Sequence, residues 1–455
     1  MNDQLIYQKK NFYETFGDKE KKAAHEYAIG YANYLDKAKT EREAVSYSIE
    51  LAQKNGFIPY QFGMDLKKGG RYYFNNRGKN LFLFTIGEES LECGFRISAA
   101  HIDSPRLDLK PCPLYEDGGM AFLKTHYYGG IRKYQWVTVP LALHGVVVKA
   151  DGTSVDINIG EEQNDPIFYI NDLLPHLGHD QEKQPLGDAI PAEKLNILVG
   201  SEPLGNTDNA IKQHVLTLLN EKYGITEQDF LSAEISAVPA EKARDIGFDR
   251  SLIGAYGHDD RVCAYPALTA LFDSVDSAHS LMCVLADKEE IGSDGNTGMQ
   301  ADLLCDLLHE ISVSMGANPT IVRYNSKCLS ADVSASFDPN FPEVFEKRNT
   351  PLLSCGVVLT KYTGARGKSG TNDASAEYIG WLRSVMAKDN VLWQTGELGK
   401  TDCGGGGTVA KYIAKHNIET VDLGVPVISM HAPYEAVAKV DVYETHRAFR
   451  AFCKY

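Results

Sequence analysis

Apolar and polar positions along this chain follow two rhythms, and the change from one to the other marks out its parts. From Asp18 to Leu35, and again from Thr40 to Asn55-Gly56, apolar residues recur with the period of a helix that buries one face. Thr40 with Glu43 forms a capping box that starts the second helix. Arg71 to Phe74 and Leu81 to Ile86 flank Asn76-Arg77-Gly78 as a hairpin, and Cys93 to Ala99 reads as a third strand. The run Leu281 to Leu285 is apolar throughout, which predicts a strand covered on both faces. It ends abruptly in Asp287, Lys288, Glu289 and Glu290, followed by Gly292 and Gly295.

Between these regions the texture differs. From Pro111 to about residue 240 the chain holds short strands and turns, including a hairpin of Val146 to Lys149 with Val155 to Ile159 around Asp151-Gly152, and one helix from Asn206 to Lys222. After Ala243 helices and strands alternate again, with helices over Arg261 to Phe272, Asp302 to Met315, Ala374 to Met386, Gly407 to Lys415 and Pro433 to Phe452. That alternation predicts an α/β domain, residues 1–110 and 241–455, built on a mixed, largely parallel sheet with helices on both faces. An inserted, mostly β domain over residues 111–240 interrupts it.

Composition narrows the function. Among 455 residues, 46 Lys and Arg face 61 Asp and Glu, a net charge of -15, which argues against nucleic acid or an anionic membrane as partner. Nowhere do ~18 apolar residues follow one another, and no leader pattern opens the chain, so a cytoplasmic protein is expected. Nine cysteines without a C-x-x-C pair make neither a disulfide framework nor a thiolate zinc site. Any metal is therefore expected on His, Asp and Glu.

Five places offer such ligands where an apolar run meets a loop, the position at which α/β folds gather their chemistry. In SAAHIDSPRL, His101 and Asp103 stand two apart, a spacing that lets a carboxylate orient a ligating imidazole through its other ring nitrogen. In GHDDRV, Asp259 and Asp260 lead into a helix; they serve equally as N-caps, or Asp259 bridges two ions while Asp260 and Arg261 hold it. Asp332 in SADVS ends another run, where a turn-forming Asp is the alternative, and His431 follows the buried run Val425 to Met430. Glu289 and Glu290 can divide labour, one on a metal and one taking a proton from metal-bound water. Two His and three carboxylates suit a pair of ions such as Zn²⁺ about 3.5 to 4 Å apart, and Glu289 then serves as general base.

The ordered set SAAHIDSPRL, GHDDRV, DKEEIGS, SADVS and VISMHAPYE, with a domain interposed between the first two, resembles the aspartyl aminopeptidase and vacuolar aminopeptidase I family of zinc exopeptidases over essentially the whole chain. The resemblance implies a metalloaminopeptidase that hydrolyses the N-terminal peptide bond of peptides through a metal-bridging hydroxide. It implies two Zn²⁺ per subunit, with Mn²⁺ or Co²⁺ as substitutes, held by His101, Asp259, Glu290, Asp332 and His431, with Glu289 as base and Asp103 orienting His101. It also implies a homo-oligomer of twelve subunits in contact through the inserted domain, whose INDLLPHLGHD segment points to His176, or else His179, as a residue entering a neighbour's active site. Lys361 and Arg366 on the loop VLTKYTGARGKSG are candidate contacts for an acidic side chain or the peptide carbonyl. Ala335 and Asp338 stand where acid-preferring relatives are expected to carry His, which weakens the case for strict preference for acidic N-termini. A dinuclear zinc deacylase would use the same centre, and a non-catalytic shell or cargo-binding homologue would have lost the base or a ligand.

Overall fold

The computed structural model describes residues 5–455, which divide into two compact units. One comprises the described residues up to Asp103, with Ala243–Met430 and Glu435–Tyr455, and the other Ser104–Lys242 with His431–Tyr434.

The first unit is organised on a nine-stranded sheet whose centre is formed by Ser280–Ala286, Phe95–His101, Lys327–Ser330 and Glu419–Gly424, all mutually parallel. Outside them Asn80–Thr85 pairs antiparallel with Ser280–Ala286, and Val357–Thr360 antiparallel with Glu419–Gly424, so the sheet is mixed. Every residue of Ser280–Ala286 is buried. Alternate side chains explain why: Leu281, Cys283 and Leu285 pack with residues of the helices Asp18–Lys37, Glu41–Lys54 and Lys439–Lys454, while Met282, Val284 and Ala286 pack with the helix Leu303–Ser314. A strand with a helix layer on each face loses the polar alternation that a half-exposed strand shows.

The capping box at Thr40 is present: its hydroxyl accepts from Glu43 N, and the Glu43 carboxylate accepts from Thr40 N. The helix expected from Pro433 is corrected. Glu435–Ala438 is a strand, because it finds ladder partners on both sides in Leu252–Ala255 and Pro426–Ile428, and the helix begins only at Lys439. The helix expected from Gly407 shrinks to Ala410–Ala414, since four consecutive glycines resist helical order.

The second unit holds a six-stranded antiparallel sheet that includes Arg106–Asp117, Met120–Tyr128, Leu141–Val148 and Ala233–Pro239, with the helix Ala210–Tyr223. No helix among the described residues is long and apolar enough to cross a membrane.

Candidate metal centre

The central parallel strands end side by side, so the residues that leave their C-terminal ends meet. His101 is the last residue of its strand and is paired with Ala286 in the neighbouring one, directly before Asp287 to Glu290. Asp332 follows Ser330 on the other side. Asp259 and Asp260 arrive from another direction with non-helical backbone angles, and the regular helix follows them. Ligand atoms of His101, Asp259 and Glu290 lie within 4.8 Å of one another, as do those of His101, Glu289 and Asp332, and of Asp259, Asp260 and Asp332.

The ring of His101 is fixed on both edges. Nδ1 lies 3.0 Å from the Asp103 carbonyl oxygen and 3.3 Å from its Oδ1, while Nε2 lies 3.1 Å from Asp259 Oδ1 and 3.9 Å from Asp332 Oδ1. Nε2 therefore points into the cluster. Burial disfavours the charged imidazole, but the Asp103 and Asp259 carboxylates outweigh it and hold the His101 pKa well above its ordinary value.

Asp103 has a second task that its sequence spacing did not reveal. Its Oδ1 accepts the N–H of Glu289 and its Oδ2 the N–H of Glu290, each at 3.2 Å. One buried carboxylate thus orders the imidazole and both acids of the following loop. Lys288, in the left-handed region at φ 67°, makes the sharp turn that aims the pair. Glu435 is the other contributor missed from sequence, because it was read as helical: its Oε2 accepts the N–H of Asp259 at 3.1 Å.

Five carboxylates crowd one imidazole here: Asp259, Asp260, Glu289, Glu290 and Asp332. Burial raises the Asp332 and Asp260 pKa values well above the carboxylate range, and neighbouring carboxylates add to it. Such an excess of oxygen donors with an imidazole matches divalent cations of the zinc class, whose charge would offset the repulsion.

Among the described residues, the remaining candidates are not in these groups of ligand atoms. His431 belongs to the second unit, where its Nδ1 stands 2.7 Å from the Gly130 carbonyl. His176 and His179 are exposed there. Lys361 is held 2.5 Å from Asp373 Oδ1, and Lys368 lies 2.9 Å from Asp373 Oδ2 with its ammonium over the Tyr362 ring. Arg366 is exposed at φ 51°. Ala335 sits in the short strand Ser334–Ala335, and Asp338 caps its own turn by accepting from Asn340 N.

Residues 34–453 match the peptidase M18 family, described as aminopeptidase I zinc metalloprotease. A probable M18 family aminopeptidase 1 of Clostridium acetobutylicum is 48% identical over 462 residues, 99% of each chain. The crystal structure of an M18-family aminopeptidase from Thermotoga maritima superposes with a TM-score of 0.94 at 43% identity, covering 99% of this chain and 100% of its own. The yeast mApe1 dodecamer shares the fold at a TM-score of 0.77 and 22% identity, over 96% of this chain and 97% of its own.

Proposed function

The chain belongs to the M18 family of aminopeptidase I zinc metalloproteases, and on that premise we propose that His101, Asp259, Glu290, Asp332 and His431 hold two zinc ions, with Mn²⁺ or Co²⁺ able to replace them. The observation that supports this reading is the convergence of His101, Asp259, Glu290 and Asp332 with Glu289 at the ends of the central strands. When bound, the ions supply Lewis-acid polarisation of the scissile carbonyl and of the attacking water. Asp259, which falls in two of the three groups of ligand atoms, would be the ligand shared by the two ions. Glu289 takes the proton from the attacking water and returns it to the departing amine, so a peptide with a free N-terminus loses its first residue. Asp103 keeps Glu289 and the His101 ring in the positions those transfers need.

Lys361 is already matched by Asp373, which argues against a strict demand for an acidic first residue; Arg366 would add a preference only. We assign the unit Ser104–Lys242 to self-association into twelve subunits, with His176 entering a neighbour's site, in the cytoplasm. Exposed Leu173, Leu174 and Leu177 around His176 and the dodecameric yeast relative support it.

The test is Glu289→Gln. It should lower kcat on aminoacyl substrates by at least ~100-fold, the scale of a general base, with a full complement of metal retained. Activity that survives with both ions bound would remove Glu289 from the role.

A further inference from the structure

A short segment 120 residues along the chain from Gly292 grips the loop that carries Glu289. Tyr412, in the helix Ala410–Ala414, donates its hydroxyl proton to the Gly292 carbonyl at 3.0 Å. Gly292 is the residue whose N–H returns to the Glu289 carbonyl at 2.9 Å, closing the turn on which the two acids ride. Gln300 Nε2 meets the same carbonyl at 2.8 Å and lies 3.4 Å from the Tyr412 oxygen, so tyrosine, amide and loop form one small network.

The helix that presents Tyr412 is too short to hold itself in place, since one turn is unstable in isolation. Its anchor is Thr408. The buried Thr408 hydroxyl donates to Asp422 Oδ1 at 2.6 Å and accepts from Ala410 N at 3.3 Å. Asp422 is itself built into the sheet, opposite Ser330 on one side and Thr360 on the other. Behind the anchor, Gly404 to Gly407 pack backbone against backbone: a Cβ at Gly404 would stand 1.8 Å from the Leu398 carbonyl, and one at Gly405 2.0 Å from that of Gly364. Val409 and Ile413 are buried in the apolar layer under the sheet, and the Tyr412 ring packs against that layer.

We propose that the segment Thr408 to Tyr412 is a brace for the general base, with the Thr408–Asp422 hydrogen bond as its fixed end and the Tyr412–Gly292 hydrogen bond as its working end. Thr408, Asp422 and Tyr412 are positioning residues: none carries the reaction, and each acts through the placement of Glu289. The inference rests on Glu289 being the base of the aminopeptidase reaction. Loss of the brace loosens the end of the turn at Gly292, whose N–H is bonded to the Glu289 carbonyl, while Asp103 still holds the N–H of Glu290, so the metal ligand stays and proton transfer by Glu289 suffers. Small displacements of a reacting group are costly in rate, and a misplacement of about 1 Å can cost about 100-fold.

The experiment compares Thr408→Val, Thr408→Ser, Tyr412→Phe and the double variant Thr408→Val/Tyr412→Phe in the full-length, zinc-loaded enzyme. Measured are kcat and KM on a panel of aminoacyl substrates, bound zinc and the melting temperature. The brace predicts kcat lowered about tenfold in Thr408→Val and about fivefold in Tyr412→Phe, with KM within twofold and zinc unchanged. Thr408→Ser, which keeps the hydroxyl, stays near wild type. The double variant loses no more than Thr408→Val alone, because both bonds act on one turn. Unchanged kcat in either single variant, losses that multiply, an effect on KM alone, or losses that follow zinc content overturn the brace. A wild-type enzyme that hydrolyses none of the panel overturns the aminopeptidase reading instead.

Discussion

Asp103 receives the backbone N–H of Glu289 at 3.2 Å while its other oxygen receives that of Glu290, so a residue just past the adjacent strand end positions the two acids together with their own loop. The same carboxylate touches His101 Nδ1 at 3.3 Å. Asp103→Asn keeps the shape but replaces one acceptor by a donor that faces an N–H. The expected result is a loss of about 10- to 100-fold in kcat or in zinc affinity, the usual range for groups that orient ligands. Kinetics with zinc titration checks it; wild-type values for both would show that the contacts are idle.

Asp259 is the proposed shared ligand. Asp259→Ala should lose activity and bind zinc weakly at both positions, read by metal analysis after dialysis. Chelation of the wild-type enzyme should lower its melting temperature, because a ligand that binds only the folded state stabilises it by mass action. Two tightly held ions in the variant would exclude the bridge.

Stability of the metal-free enzyme should depend on Asp422. Burial pushes its carboxyl from 3.8 up to about 7, with the bond from Thr408 opposing. Between those values the folded chain keeps a proton that the unfolded chain has released, so stability falls as pH rises from about 4 to about 7. Asp422→Asn should flatten that part of a plot of urea midpoint against pH. A slope equal to that of wild type would assign the effect to other buried acids.

The last expectation concerns assembly. Mixing His176→Ala subunits with Glu289→Gln subunits should restore part of the activity that each lacks, if His176 works in a neighbour's site. Absence of any recovery in verified mixed oligomers would confine His176 to its own subunit or to no role.

Much of this protein is legible along the chain because its signals are local. The period of Asp18–Lys37, the capping box at Thr40, and the apolar run that becomes Ser280–Ala286 each depend on residues close in sequence, and each appears in the structure. The order of strands and helices likewise dictates the α/β class. His101, Asp332 and the Asp287 to Glu290 tetrad are legible because each lies at or just past the end of an apolar strand.

Where the tertiary structure decided, the deciding partner was distant in sequence. Glu435–Ala438 is a strand only because Leu252–Ala255 and Pro426–Ile428 lie on its two sides, and in isolation the stretch continues smoothly into the helical pattern after it. Asp373 neutralises Lys361 from twelve residues away, which no spacing announces. Asp103 reaches across 186 positions to Glu289, and Tyr412 across 120 to Gly292. Backbone N–H and carbonyl groups are the same at every residue, so a side chain that chooses one of them leaves no mark in the sequence; the choice is made by which strand ends the sheet sets side by side.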